Sequence, residues 1–487
     1  MIPRLRWKKS RTIRLHESDS GNIAPDEPSR FSVWRAATIF LGALIFLWPA
    51  ILNRLPLLYP DSMTYLADGR PVARALFLHK FSNYYGMRSL IYSLGIFPFH
   101  WNITLWPVAA LQSLLAAYVI WLVVRSVVAR QTLWWYLILC ASLSLLTTLS
   151  WFAALILPDI LGPILYLCIY LIVFAREALS RAERAAVIVI IWWAVASHGS
   201  HLIVATALCA LLILLNALHC KFMQQRWRAV GAVMLVILFS VAAQVGLNKY
   251  LTGNAALDAD WPPILMARMI EDGPGRQYIE THCPDAKFAI CEDVQHLPAD
   301  TDDFLWSDTG IWQSASAEKQ ARLQHEEIRF VLATVRAYPG EQLKKSAANF
   351  GNQLITLGMD DLTAADWTLE GFDRAIPAEK SHYEHSRQIS NALPLDFFSS
   401  VQGWMVIASL AVIAAFIPYL RRYRPARILG LGVIIVSAVL MNAFVTGVLS
   451  AVEPRYQSRV IWLLPLLAAL LILDWRGQRS LHRTNAE

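Results

Sequence analysis

The chain has 487 residues, of which 56% are hydrophobic and 16% are charged, whereas soluble domains average about 45–50% and about 25%. This composition excludes an ordinary soluble domain and predicts an all-α polytopic membrane protein. The net charge is +7. We attribute this charge to orientation in the membrane and to contact with anionic lipid, so nucleic acid is excluded as a partner.

Segments of about 20 apolar residues are long enough to cross the hydrocarbon core of a bilayer. The sequence predicts about ten such transmembrane helices, at residues 34–53, 104–124, 132–150, 158–175, 185–198, 201–218, 229–248, 398–420, 428–450 and 459–475. The chain then divides into a basic N-terminus (1–33), helices one to seven (34–248) with a first outer loop (54–103), an extracytoplasmic α-rich domain (249–397), helices eight to ten (398–475) and a tail (476–487).

Basic residues set the expected orientation of these helices. A run from Arg4 to Arg14 precedes the first apolar segment, and the positive-inside rule places such a run in the cytoplasm. The other short basic turns, which contain Arg125, Arg226 and Arg424, then fall on the same side. We therefore predict an integral protein of the bacterial inner membrane, with both termini cytoplasmic and the large loop periplasmic.

The first outer loop places Asp61, Arg70 and Arg88 among apolar residues. This pattern predicts short helices that lie at the membrane interface. Asp61 has two interpretations. It is either the N-cap of a helix that starts near Met63, or a carboxylate that works at the membrane surface.

Further ionisable residues stand at the predicted outer ends of other helices. Asp159 follows Leu157-Pro158, and His198 and His201 flank a Gly-Ser hairpin tip. Ionisable groups at this depth usually face a cavity or a pathway. The histidines are interpreted as metal ligands, as groups that orient an acceptor, or as a polar turn.

Cys283 and Cys291 are the only cysteines of the large loop. An oxidising compartment favours a disulfide between them. A metal site that includes the neighbouring His282 and His296 stays open as the alternative.

Two apolar stripes at helical spacing occur later in the same loop. One runs from Ile328 to Val335, and the other from Leu343 to Leu354, with Tyr338-Pro339-Gly340 between them. The pattern predicts two helices. Their apolar stripes either pack against other parts of the protein or lie along the membrane.

The last apolar segment opens with Glu453-Pro454-Arg455-Tyr456-Gln457-Ser458-Arg459. Arg455 and Arg459 are four residues apart and therefore share one helical face. Arginines on one face are suited to bidentate binding of a phosphate. The alternative is an interfacial pair that contacts lipid head groups.

The chain resembles the C-type (GT-C) membrane glycosyltransferases in three places. These are the Tyr59-Pro60-Asp61-Ser62 motif, the apolar segment around Gln112 that follows the first outer loop, and the Glu453-Pro454-Arg455-Tyr456 motif. The resemblance implies a polyprenyl-phosphate-linked sugar donor and a lipid, glycan or protein acceptor. It also implies that Asp61 is the catalytic base or part of a metal site, and that Arg455 holds the phosphate. The family often has two adjacent acids here, whereas Ser62 follows Asp61, so no metal ligands are assigned and a divalent metal stays open.

The expected function is transfer of a sugar to an acceptor on the outer face of the membrane, with Asp61 as the catalytic residue. The candidate substrate-binding residues are Arg70, Arg88, Asp159, His198, His201, Glu453, Arg455, Tyr456 and Arg459. The alternatives are a ligase or polymerase of lipid-linked oligosaccharides, a lipid or glycan transporter, and a non-catalytic assembly subunit.

Overall fold

A computed structural model of the chain describes residues 33–484, apart from 83–85, 129–132, 224–225, 258–260, 365 and 424–425. The basic N-terminus and Arg424 therefore lie outside the described residues. Among those that are described, the sole extended pairing is an isolated bridge between Leu57 and Leu155. The prediction of an all-α fold is confirmed.

The first part of the chain forms eleven α-helices, of which α2 and α7 are short, with six residues each. They are α1 (Val33–Phe46), α2 (Trp48–Asn53), α3 (Pro60–Leu78), α4 (Leu90–His100), α5 (Trp106–Val127), α6 (Leu133–Leu146), α7 (Leu149–Ala154), α8 (Leu161–Phe174), α9 (Arg181–Ser197), α10 (Gly199–Ala217) and α11 (Trp227–Thr252).

The large loop and the C-terminal part are also helical. The loop contains α12 (Ile264–Glu271), α13 (Pro274–His282), α14 (Thr301–Leu305), α15 (Ile311–Ser314), α16 (Ala317–Ala337), α17 (Pro339–Ile355), α18 (Asp366–Ala375) and α19 (Lys380–Glu384). The chain then continues with α20 (Leu395–Ala415), α21 (Ile417–Tyr423), α22 (Ala426–Leu449), α23 (Pro454–Ile461) and α24 (Leu463–Thr484). Short 3₁₀ helices lie at Pro158–Ile160, Arg176–Ala178, Lys221–Met223, Ala289–His296, Asp360–Leu362 and Pro377–Glu379.

Six helical segments are long and apolar enough to cross a membrane: Trp106–Val127, Gly199–Ala217, Trp227–Thr252, Leu395–Tyr423, Ala426–Leu449 and Pro454–Gly477. Four further apolar helices are shorter: Val33–Phe46, Leu90–His100, Leu133–Leu146 and Pro158–Phe174. These findings support a polytopic membrane protein, whereas the number of about ten spans stays a prediction.

Some of the predicted spans are interrupted or polar at one end. The segment 34–53 divides at Leu47, before a helix that has a proline in its first turn. The segment 132–150 divides near Thr148. The fifth predicted span lies on α9, which begins with Arg181 and carries Glu183 in its first turn. A proline thus accounts for the first of these breaks, and charged side chains make the start of α9 polar.

The basic turns meet at one end of the helix bundle. Arg125 pairs with Glu183 at 2.7 Å, and the Arg427 guanidinium donates to the Ser126 carbonyl at 3.2 Å. Arg226 donates to the Val173 carbonyl of α8.

The motifs that begin at Tyr59 and Glu453 meet at the other end of the bundle. Which end faces the cytoplasm stays a prediction.

The large loop contains a hydrophobic core of its own, formed between Ile264 and Phe330 and including Met266, Ile279 and Leu323. Cys283 and Cys291 form the predicted disulfide beside this core. The helices that lie closest to the membrane-spanning part are α17, which packs on α22, and α18, which packs on α3.

The apolar stripes of α16 and α17 are largely exposed. Leu343 is 72% exposed and Ile328 is 57% exposed, whereas Val331 and Phe350 are partly buried, and Val331 packs against the core of the large loop. The side chains that α17 buries completely are polar: Gln342, Asn349 and Gln353. The interpretation of the stripes as packing faces therefore holds for only part of each stripe, and polar partners on other elements hold α17 in place.

The predicted orientation can be tested with single cysteines at two exposed positions, Glu318→Cys in α16 and Arg228→Cys near a basic turn. With the partly exposed Cys220 replaced by serine, a membrane-impermeant maleimide should label position 318 in intact cells. Position 228 should be labelled only after the membrane is opened, because positive turns stay in the cytoplasm. The reverse pattern would overturn the predicted topology.

Candidate functional site

The first part of the site is the helix start that contains Asp61. Tyr59 is the N-cap of α3, and its backbone N–H donates to the Ser62 hydroxyl at 3.0 Å. Asp61 therefore lies in the first turn and is not the N-cap, so that interpretation is wrong. Its Oδ1 atom accepts a hydrogen bond from Arg88 Nη2 at 2.7 Å. Its Oδ2 atom has no hydrogen-bond partner among the described residues.

Amide side chains fix the extended segment that leads into this helix. Gln388 donates to the Leu58 carbonyl at 2.6 Å and accepts from the Leu58 N–H at 3.1 Å. Leu57 pairs with the backbone of Ala154 and Ile156. The segment before Tyr59 thus runs beside the segment before Asp159, which brings two distant acids to one end of the bundle.

Gln112 holds that second segment. Its Nε2 atom donates to the carbonyls of Ala153 and Leu155, at 3.1 and 2.7 Å, and its Oε1 atom accepts from the Tyr92 hydroxyl at 2.8 Å. Every polar atom in this network is buried and paired, which favours one arrangement of the backbone. Asp159 follows directly, in a 3₁₀ turn that begins at Pro158.

A buried ion pair joins Asp159 to the last apolar segment. Arg459, which is 1% exposed, donates from Nη1 to Asp159 Oδ1 at 2.9 Å. Its Nη2 atom donates to Ser200 Oγ at 3.1 Å and to Asn442 Oδ1 at 3.2 Å. Both Nη atoms of Arg459 therefore bind acceptors inside the protein, whereas its Nε atom has no hydrogen-bond partner among the described residues.

Arg455 lies one turn earlier on α23 and has looser contacts. Its Cζ atom lies 3.8 Å from the centre of the Tyr59 ring, and its nearest carboxylate oxygens, on Asp159 and Asp361, are each 3.8 Å away. These distances are too long for hydrogen bonds. Among the described residues, no acceptor lies within hydrogen-bonding distance of the Arg455 guanidinium. The Tyr456 ring lies beside it, at 5.3 Å.

A narrow cleft with a volume of about 20 Å³, enough for about one water molecule, lies beside these charges. Arg88, Tyr65 and His198 line it, together with Trp261 from the large loop. The ring of a second tryptophan, Trp306, lies 5.4 Å from the Arg88 guanidinium. The large loop therefore contributes aromatic side chains that pattern analysis of the sequence did not identify, because only the fold brings them near Arg88.

The two histidines have different positions. His198 is the N-cap of α10, and its Nδ1 atom lies 2.9 Å from Ser200 Oγ, the same hydroxyl that Arg459 contacts. His201 lies one turn inside the helix, fully buried, with Nδ1 at 2.9 Å from the Ala194 carbonyl. His198 thus borders the cleft, whereas His201 belongs to the interior of the bundle.

Arg70 is not part of this arrangement. It lies nine residues after Asp61 on α3, which corresponds to about 13 Å along the helix. It lines another cleft with Trp101, Asn102 and Arg374. The structure therefore brings together Asp61, Arg88, Asp159, His198 and Arg459 with Glu453, Arg455 and Tyr456, and leaves Arg70 and His201 outside the cleft.

Glu453 stands at the start of α23, with its backbone held by the Gln353 side chain at 2.8 and 3.0 Å. Burial, and after it the neighbouring acids Asp361 and Asp302, raise the pKa of its carboxyl group to about 7, while Arg455 opposes them. Burial likewise raises the pKa of Asp361. No group of three or more His, Cys, Asp or Glu side chains suited to bind a metal occurs in the part of the chain that the structure describes.

Comparisons of the chain with protein-family models, with curated proteins and with solved structures found no match.

The buried pair predicts a clear pattern of stability. Arg459→Met should lower the free energy of unfolding by about 3–5 kcal/mol, because it leaves Asp159 buried without its close partner. Adding Asp159→Leu should cost little more, since the buried carboxylate is then removed together with its close partner and Arg455 keeps Asp361 at 3.8 Å. Melting of the detergent-purified protein tests this. Lys380→Met, which removes an exposed ion pair to Asp373, is the control and should change little. Additive losses in the double variant would contradict a coupled pair.

Glu453 predicts a dependence on pH. Its ordinary pKa is 4.5 and its folded-state pKa is about 7, so the folded protein favours the protonated form. The stabilisation is complete below the ordinary pKa and is lost as the pH rises through the folded value. Wild type should therefore lose thermal stability relative to Glu453→Gln as the pH rises between these two values. The prediction would be contradicted if the melting temperatures of the two proteins changed with pH by the same amount.

Proposed function

We propose that the chain is a GT-C-type membrane glycosyltransferase, which moves a sugar from a polyprenyl-phosphate carrier to an acceptor. The proposal rests mainly on Arg455. Its guanidinium is buried, yet its nearest carboxylate oxygens are 3.8 Å away. A buried cation with unused donors is suited to an anionic ligand, and arginine matches the geometry of phosphate.

The position of Arg455 connects this cation to the cleft through a series of contacts. Arg455 stacks on Tyr59, two residues before Asp61, and Asp61 binds Arg88 at the edge of the cleft. On the other side Arg459 reaches Ser200, which contacts His198 of the same cleft. A phosphate beside Arg455 and an acceptor in the cleft would therefore lie on either side of Asp61.

The chemistry requires a base and a stabilised leaving group. The oxygen of the acceptor hydroxyl bonds to C1 of the sugar, and Asp61 takes the proton that this hydroxyl loses. The bond between C1 and the phosphate oxygen breaks at the same time, and the released lipid phosphate keeps the electron pair. Arg455 stabilises the negative charge that develops on that phosphate. The unoccupied Oδ2 atom of Asp61 is the oxygen suited to the acceptor.

The lining of the cleft has the composition of a carbohydrate subsite, and the cleft must widen before it admits a sugar, because it now has room for about one water molecule. Binding sites for small molecules combine aromatic walls with a few polar groups that fix orientation. Tyr65 and Trp261 provide the aromatic walls, while Arg88, Gln244 and His198 provide the polar groups.

A ligase or polymerase of lipid-linked glycans is the second candidate, because His198 also lines the cleft. In such an enzyme His198, held by Ser200, takes the role of the base. The two candidates differ in which single variant abolishes transfer.

Asp61→Asn should lower transfer of a lipid-linked sugar by about 10²–10⁴-fold, because asparagine can still accept from Arg88 but cannot take a proton. Asp360→Asn, at an exposed acid, is the matched control and should retain activity. Rates measured with a radiolabelled polyprenyl-phosphate sugar and purified protein test the prediction. Wild-type transfer by Asp61→Asn, with activity lost in His198→Gln, would exclude Asp61 as the base and favour the second candidate.

A further inference from the structure

Helix α17 presents three different faces. Gln342, Asn349 and Gln353 lie on a buried polar face. Leu343, Ala347, Phe350 and Leu354 lie on an apolar face that is turned by about a quarter to a third of a circle from it, at 100° per residue. Glu341, Lys345 and Asn352 lie on a third, exposed and polar face. Protein covers the first face, whereas Leu343 and Ala347 of the second face are exposed.

Strong polar contacts hold the buried face. Asp272 accepts from Gln342 Nε2 at 2.9 Å and from Asn349 Nδ2 at 2.7 Å. Gln353 exchanges two hydrogen bonds with the backbone of Glu453. These bonds fix the rotation of α17 about its own axis, so the exposure of its apolar face is imposed by the fold.

The apolar face continues the surface of a membrane-spanning helix. The Phe350 ring lies 6.3 Å from the Phe444 ring of α22, and Phe444 is itself 49% exposed. The backbone of α17 rests directly on α22, because a Cβ atom at Gly447 would lie 2.9 Å from the Asn349 carbonyl oxygen. Both contacts lie in the last two turns of α22. Helix α17 therefore lies at the depth where a spanning helix leaves the hydrocarbon.

Charge around the apolar face matches a lipid surface. The last turn of α16 and the first half of α17 carry exposed Arg336, Lys344 and Lys345 against a single acid, Glu341. Helices that lie in the interface combine an apolar face with basic flanks, which attract anionic head groups.

We propose that α17 is an interfacial helix, whose apolar face is immersed at the boundary between head groups and acyl chains of the bilayer. The exposed Ile328, Leu332 and Val335 of α16 extend the apolar surface before the turn. The helix thereby holds the large loop at the membrane and fixes Glu453 and the start of α23 at a set depth. This role does not depend on the proposed transferase activity.

Spin labels on single cysteines test the proposal, with the full chain in vesicles of phosphatidylethanolamine and phosphatidylglycerol. Labels at Leu343→Cys and Ala347→Cys should be several-fold more accessible to oxygen than to a water-soluble nickel chelate. Labels at Lys345→Cys and Asn352→Cys, on the opposite side of the same helix, should show the reverse. Ile407→Cys on α20 and Glu318→Cys on α16 serve as the lipid and water references.

Two outcomes would overturn the proposal. Nickel accessibility at 343 and 347 equal to that at 318 would place the face in water. Immobile labels shielded from both reagents would show that protein, such as a second copy of the chain, covers it. Each variant is compared with wild type by size-exclusion chromatography, so that a misfolded variant is recognised before its labels are measured.

Discussion

The ion pair between Asp159 and Arg459 is the contact on which the site end of the molecule depends. Removing two charges from water costs several kcal/mol for each ion, and only close pairing with further hydrogen bonds compensates that cost. Ser200 and Asn442 supply these bonds. The pair therefore fixes α10, α22 and α23 relative to the turn before α8, and this relative position sets where Arg455 lies.

The difference between the two arginines follows from this constraint. The Arg459 guanidinium lies 2.9 Å from Asp159, whereas the Arg455 guanidinium lies 3.8 Å from the same carboxylate and stacks on the Tyr59 ring. Arg459 thus binds protein acceptors through both Nη atoms, whereas the Arg455 guanidinium makes no hydrogen bond among the described residues, as the proposed donor site requires. The sequence shows both as equivalent members of one helical face, because spacing does not indicate which residue reaches a distant partner.

Local patterns predicted the helices well and their partners poorly. Apolar runs indicated the six long apolar helices, the helical spacing of apolar residues indicated α16 and α17, and the two cysteines of the large loop indicated the disulfide. The N-cap at Tyr59 was missed because Asp61 has the better capping side chain, whereas the chain begins its helix at Pro60. The burial of the polar face of α17 was not predictable, because it depends on Asp272, which is 70 residues or more away from its partners. Trp261 and Trp306 were missed for the same reason.

The most direct test of the proposed donor site is an electron cryomicroscopy structure of the protein in nanodiscs that contain polyprenyl phosphate. The account predicts density for a phosphate within hydrogen-bonding distance of the Arg455 guanidinium, with the lipid chain leaving between the helices and Asp61 facing the cleft. A lipid phosphate bound elsewhere, with Arg455 still separated from any anionic ligand, would contradict it.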